Sequence, residues 1–81
     1  MTLQQILYIL TIADCGSMNK AAEALYISQP TLTSAVKELE NEVGISIFQR
    51  SGRGTVPTSE GEEFLIYARQ LYQQYELINE K

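Results

Sequence analysis

The sequence predicts a mainly α fold: a three-helix core, a small β-hairpin and a long C-terminal helix. Apolar residues recur at three- and four-residue spacing in separate stretches, and Ser, Thr and Gly stand between those stretches at cap positions. One glycine-rich segment, ISIFQRSGRGTVPTSEG at 45–61, breaks the helical period and has the residue types of a hairpin.

The first helix is set by Leu3, Ile6, Leu7, Leu10 and Ala13, which share one face, and Gly16 stops it. Tyr8, Ile9 and Ile12 lie on its other side. A helix apolar nearly all round is buried on two sides, so the second surface is expected to belong to a partner. Ser17 caps a short second helix ending at Leu25, with Met18, Ala21, Ala22 and Leu25 inside. After a tight Tyr26-Ile27 connection, Ser28 caps a third helix, with Pro30 in its first turn, where a missing N–H costs nothing. That helix ends at Gly44 and turns Leu32, Ala35, Val36, Leu39 and Val43 inward. The hairpin is expected to have a strand over residues 46–49, a Ser51-Gly52-Arg53-Gly54 turn, a return at Thr55-Val56, and a stop at Pro57. Thr58 or Ser59 caps the last helix, Ser59 with Glu62 forming a capping box.

At 81 residues the chain has room for one small domain. It holds no apolar run of membrane-spanning length, so no membrane partner is expected. The apolar start does not read as a secretory leader, because no Lys or Arg precedes residue 20 and Asp14 interrupts the run. The single cysteine, Cys15, forms no disulfide within the chain and fits a reducing cytoplasm, as a small half-buried side chain rather than a redox sensor. Histidine is absent, as are a catalytic triad, a phosphate loop and paired cysteines. An enzyme is therefore not expected, nor a cofactor or metal.

The net charge of −4 argues against a nucleic-acid partner until it is divided along the chain. The acid is concentrated in the tail, where Glu60, Glu62, Glu63, Glu76 and Glu80 outnumber Arg69 and Lys81. Residues 43–59 carry Arg50 and Arg53 and no acid, so a local basic site is compatible with an acidic molecule.

Two helices joined by a very short turn, the first alanine-rich and the second capped by Ser28, match a helix-turn-helix, and the hairpin after them adds a wing. With Leu32 inward, Pro30, Ser34, Lys37 and Asn41 point outward, flanked by Thr31 and Thr33. Short, uncharged side chains at the start of that face let a backbone approach base edges in a major groove, where Gln29 suits adenine and threonine methyls suit thymine. Glu38, Glu40 and Glu42 are expected to face solvent away from the duplex. Arg53, between glycines at the tip of the wing, suits a narrow minor groove, and Arg50 suits a phosphate. Asn19 and Lys20 complete the expected DNA contacts.

In the last helix Gly61, Phe64, Ala68, Leu71, Tyr75 and Ile78 form a stripe, with Leu65 and Tyr72 alongside. Leu71, Tyr72, Tyr75 and Ile78 run beyond what short helices can cover and read as a two-helix dimer seam, with Tyr8 and Ile12 assigned to the same interface. The alternative from another class is a protein-interaction module, which the acidic balance favours.

The segment GSMNKAAEALYISQPTLTSAVKELENEVGISIFQRSGRGTVPTSEGEEFLIYARQL closely resembles the N-terminal DNA-binding domain of LysR-type transcriptional regulators. The resemblance implies a winged helix-turn-helix over 1–58, a linker helix over 59–81, and a homodimer built on antiparallel linker helices. It also implies sequence-specific binding to double-stranded DNA at interrupted palindromes. It matches Ser28, Gln29, Pro30 and Thr31 to the start of the recognition helix, Thr33 to its next contact, and Arg50 and Arg53 to the wing. Met18 stands where the family usually has phenylalanine. Ser34 stands where many members carry arginine, so one strong DNA contact is absent. Members also carry a larger domain for a small-molecule co-inducer, which is expected only of a full-length protein.

Overall fold

A computed structural model of the chain describes residues 1–80. Its elements are α1 (Leu3–Cys15), α2 (Met18–Leu25), α3 (Gln29–Val43), β1 (Phe48–Ser51), β2 (Gly54–Pro57) and α4 (Ser59–Asn79). Helix α1 is the centre of the molecule, with α2, α3, α4 and β2 packed around it.

Thr2 starts α1 through a capping box. Its hydroxyl accepts from the Gln5 N–H, and the Gln5 side chain accepts from the Thr2 N–H, each at 3.0 Å. The central position of α1 corrects the expectation that its second face waits for a partner. Ile9 and Ile12 are 0% exposed and Tyr8 is 9% exposed, because α2 and α3 cover one side and α4 the other. Tyr8 and Ile12 therefore present almost no free surface. Leu3, expected inside, is exposed at the edge of the core.

The helix-turn-helix is closed by backbone bonds. Ser17 caps α2 by accepting from the Lys20 N–H. At its far end the Ile27 N–H donates to the Ala22 carbonyl at 3.1 Å and the Tyr26 N–H to the Glu23 carbonyl at 3.2 Å. This double closure requires a left-handed residue, usually glycine, and here it is Tyr26 with φ 58°. A side chain in that conformation costs roughly 1–2 kcal/mol. Helix α3 begins at the Ser28 cap and ends at left-handed Gly44, with Leu32, Val36 and Leu39 buried.

Glu40 does not face solvent as expected. One carboxylate oxygen accepts from the Ile47 N–H at 2.7 Å and the Phe48 N–H at 3.3 Å, tying α3 to the start of the hairpin. The hairpin begins at Phe48 rather than residue 46, and it pairs antiparallel with Arg50 opposite Thr55 and Ser51 opposite Gly54. Its turn is therefore Gly52-Arg53 alone. Pro57 closes β2 from within, a place open to proline at the end of a two-stranded ribbon. The Thr55 N–H bonds the Gly16 carbonyl at 3.2 Å and anchors the hairpin to the α1–α2 connection.

Thr58, and not Ser59, caps α4, so the expected Ser59–Glu62 box does not form. The Thr58 hydroxyl accepts from the Gly61 N–H at 2.9 Å and donates to the Ser46 carbonyl, while its N–H donates to the Ile47 carbonyl. The first half of α4 then packs on the core through Leu65 and Ala68. Arg69 pairs with Asp14 of α1 at 2.8 Å, an exposed contact worth at most about 1 kcal/mol.

Gly61 is where α4 touches the hairpin connection most closely. A Cβ there would overlap the Ile47 carbonyl oxygen and lie 2.8 Å from its carbon. Gly61→Ala is accordingly expected to destabilise the domain by about 3 kcal/mol or more, since backbone must move on both sides of the contact. Urea denaturation checks this, and a loss below about 1 kcal/mol would show that the approach is not tight.

Candidate nucleic-acid interface

The outward face of α3 is exposed because its inward stripe is spent on the core. Gln29, Pro30, Thr33, Ser34 and Lys37 line one shallow open surface over its first turns. Gln29, Thr33 and Lys37 also form one wall of a cleft whose other wall is the hairpin, with Gln49, Arg50 and Thr55. Met18, Val36 and Phe48 make its floor, where Val36 belongs to the core and Met18 and Phe48 pack against it. Thr31 and Ser34 lie on the opposite flank, beside Tyr8 and Glu38.

At the cap, the Ser28 hydroxyl accepts from the Thr31 N–H at 3.2 Å and donates to the Thr31 hydroxyl oxygen at 2.8 Å. That leaves the Thr31 hydroxyl proton free for an outside acceptor. Asn19 and Lys20 are exposed on α2. Arg53 occupies the hairpin turn, exposed, with its N–H held by the Ser51 hydroxyl at 3.1 Å. The structure therefore joins Gln29, Pro30, Thr33, Ser34, Lys37 and Arg50 into one surface and leaves Arg53 on a separate projection.

Charge is segregated in the same sense. Among the described residues the ion pairs are Met1 amino to Glu42 and Arg69 to Asp14, neither drawing on a residue that lines this surface. Lys20, Lys37, Arg50 and Arg53 have no acidic partner among the described residues. Glu40, which also borders the cleft, is held by backbone N–H groups. Gln49 and Thr55 were not singled out from the sequence. The signal for Thr55 was its place opposite Arg50 in the hairpin register, which puts both side chains on one face of the ribbon.

Helix α4 carries a second exposed surface. Tyr67, Leu71, Tyr75 and Ile78 are 64%, 45%, 38% and 71% exposed along one flank. Tyr72, expected with them, is half-buried against the chain's own core, its ring 5.6 Å from that of Tyr75. The apolar stripe read from the sequence is two stripes. Gly61, Leu65, Ala68 and Tyr72 turn inward, and Phe64, Tyr67, Leu71, Tyr75 and Ile78 run beside them. Tyr67 was missed because the spacing was traced through Ala68. No described helix is long and apolar enough to cross a membrane, and no described cluster of His, Cys, Asp or Glu could hold a metal ion.

A family model described as "Bacterial regulatory helix-turn-helix protein, lysR family" matches residues 3–62. The HTH-type transcriptional regulator TfdT of Cupriavidus pinatubonensis is 39% identical over 71 residues, covering 88% of this chain and 31% of TfdT. CitR of Bacillus subtilis, another HTH-type transcriptional regulator, is 42% identical over 67 residues, 83% of this chain and 23% of CitR. The chain thus spans less than a third of either regulator. Among solved structures, the CbnR_DBD–DNA complex aligns with a TM-score of 0.91 at 32% identity, over 99% of this chain and 92% of that one. The BenM_DBD complex with catB site 1 DNA aligns with a TM-score of 0.92 at 32% identity, over 99% and 86% of the two chains. With its fold and its matched residues in agreement, the chain belongs to the lysR family of bacterial regulatory helix-turn-helix proteins, as a DNA-binding domain.

Proposed function

We propose that the chain binds duplex DNA in a sequence-specific way, with α3 in the major groove and the hairpin against the backbone and the adjacent minor groove, as a homodimer on an inverted repeat. One observation carries the reading: the open surface of Gln29, Pro30, Thr33, Ser34 and Lys37, continuous across a cleft with Arg50, on the part of the molecule whose cations are unpaired. A surface of short polar side chains admits base edges, and free cations replace the counterions of phosphates. The likeness to CbnR_DBD and BenM_DBD, whose structures are DNA complexes, supports the same reading. Residues 1–58 then supply recognition and 59–81 the linker. The exposed flank of α4 supplies the dimer seam, centred on Leu71 and including Tyr75 and Ile78, with Tyr67 added and Tyr72 contributing from its half-buried position. A co-inducer response belongs to the full-length regulator.

Arg53 and Gln29 have different expected signatures. Arg53→Ala lowers affinity for all sequences and flattens the log–log salt dependence by about one unit, because one phosphate-region cation is lost. Gln29→Ala relaxes preference at a single base position. Selection from a random duplex pool, followed by anisotropy titrations across salt, checks both. An unchanged slope removes Arg53 from the interface, and a uniform loss across sequences removes Gln29 from base readout.

The seam is tested separately. Leu71→Glu places a charge in the middle of the exposed flank and, since Leu71 is 45% exposed in the monomer, leaves the core intact. Sedimentation is expected to find monomer where the parent is dimer, with affinity for an inverted repeat reduced by roughly tenfold or more. A dimer that survives the substitution would move the interface elsewhere.

A further inference from the structure

The α2–α3 turn holds a residue that the interface above does not use. Tyr26 is the one non-glycine residue with positive φ among the described residues, and it is 95% exposed. The N–H groups of Tyr26 and Ile27 are consumed in closing the turn. A glycine would close it with less strain, and a ring left in water recovers nothing by packing. Strain that the monomer has no use for points to a role outside it.

Position selects the partner. Tyr26 stands two residues before Ser28, next to the open first turn of α3. The other exposed large apolar residues are Met1 and Leu3 and those along α4, which packs chiefly on α1 and β2. Tyr26 therefore belongs to no contiguous apolar patch of the kind that docks another protein. An isolated ring carrying a hydroxyl suits deoxyribose and phosphate instead, since tyrosine is among the side chains that hydrogen-bond phosphate oxygens. We propose that Tyr26 contacts the sugar–phosphate backbone at the edge of the groove that α3 enters, its ring against deoxyribose and its hydroxyl donating to a phosphate oxygen. The inference rests on the DNA-binding reading above.

The test compares the parent chain, Tyr26→Gly and Tyr26→Phe by thermal melting and by anisotropy with a fluorescein-labelled mixed-sequence duplex at low salt. Tyr26→Gly is expected to melt several degrees higher yet bind about five- to tenfold more weakly, without preference among sequences. Tyr26→Phe is expected to melt as the parent does and lose about half of that effect on the logarithmic scale, through the hydroxyl alone. Equal affinity of all three chains overturns the contact. So does weaker binding by Tyr26→Gly that comes with a lower melting temperature, because the ring would then be structural. Failure of the parent to bind the duplex at any salt defeats the DNA-binding reading itself, a result distinct from a parent that binds and variants that match it.

Discussion

Ile47 is where the working parts of the molecule meet. Its N–H is held by Glu40 of α3, its carbonyl accepts from the Thr58 N–H at the start of α4, and Gly61 packs against that carbonyl. Phe48, the next residue, begins the hairpin and shares the Glu40 carboxylate. The Ile47 side chain is 0% exposed, so the point is fixed by burial as well as by hydrogen bonds. In a domain this small the core alone leaves little margin, and buried backbone groups without partners would consume it. A carboxylate bridging two N–H groups, a threonine cap and a glycine contact together set the angles between α3, the hairpin and α4. Any use of these elements in concert depends on that setting.

An acidic chain that binds a polyanion needs its charges sorted, and the fold sorts them by use. Asp14, Glu40 and Glu42 are committed to Arg69, to backbone N–H groups and to the N-terminal amine. Most of the remaining acid lies on α4. Lys37 and Arg50 stay free on the two walls of one cleft. With screening over roughly 8 Å, distant glutamates have little influence on the potential there. Ser34 adds no charge to this surface, so its electrostatics fall to Lys37 and the hairpin arginines.

Most of the fold was legible because caps are local chemistry. Ser17, Ser28, Gly16 and Gly44 start and stop helices where the sequence says they do, within a residue. What was not legible depended on distance in sequence. Glu40 reads as an exposed acid on a helical wheel, and only the return of Ile47 beside it makes it structural. Tyr8 and Ile12 read as surplus apolar residues because a wheel cannot show that α1 is wrapped on two sides. The α3 face was legible residue by residue, since Leu32, Val36 and Leu39 fix its rotation. On the far wall of the cleft only Arg50 was, because Gln49 and Thr55 join it through the hairpin's placement.

The rotation of α4 about its axis follows from the same constraint and bears on assembly. Gly61 against Ile47, then Leu65 and Ala68 in the core, leave one rotational setting, since a shift of one residue turns the helix by about 100°. That setting puts Tyr67, Leu71, Tyr75 and Ile78 outward on a helix of 21 residues, about 32 Å long. Fully burying a large side chain is worth roughly 1.5–3 kcal/mol, and a paired helix would recover the part of that gain which the monomer leaves exposed. The contact between the rings of Tyr72 and Tyr75 connects that flank to the core, so the flank does not sit on a loose extension. In the proposed dimer the separation of the two α3 helices then depends on the α3-to-α4 geometry, set within each monomer by the Ile47 junction and the packing of α4, and on where the seam places the two-fold axis. The spacing of half-sites on the DNA becomes a joint consequence of monomer packing and of the seam's position along α4.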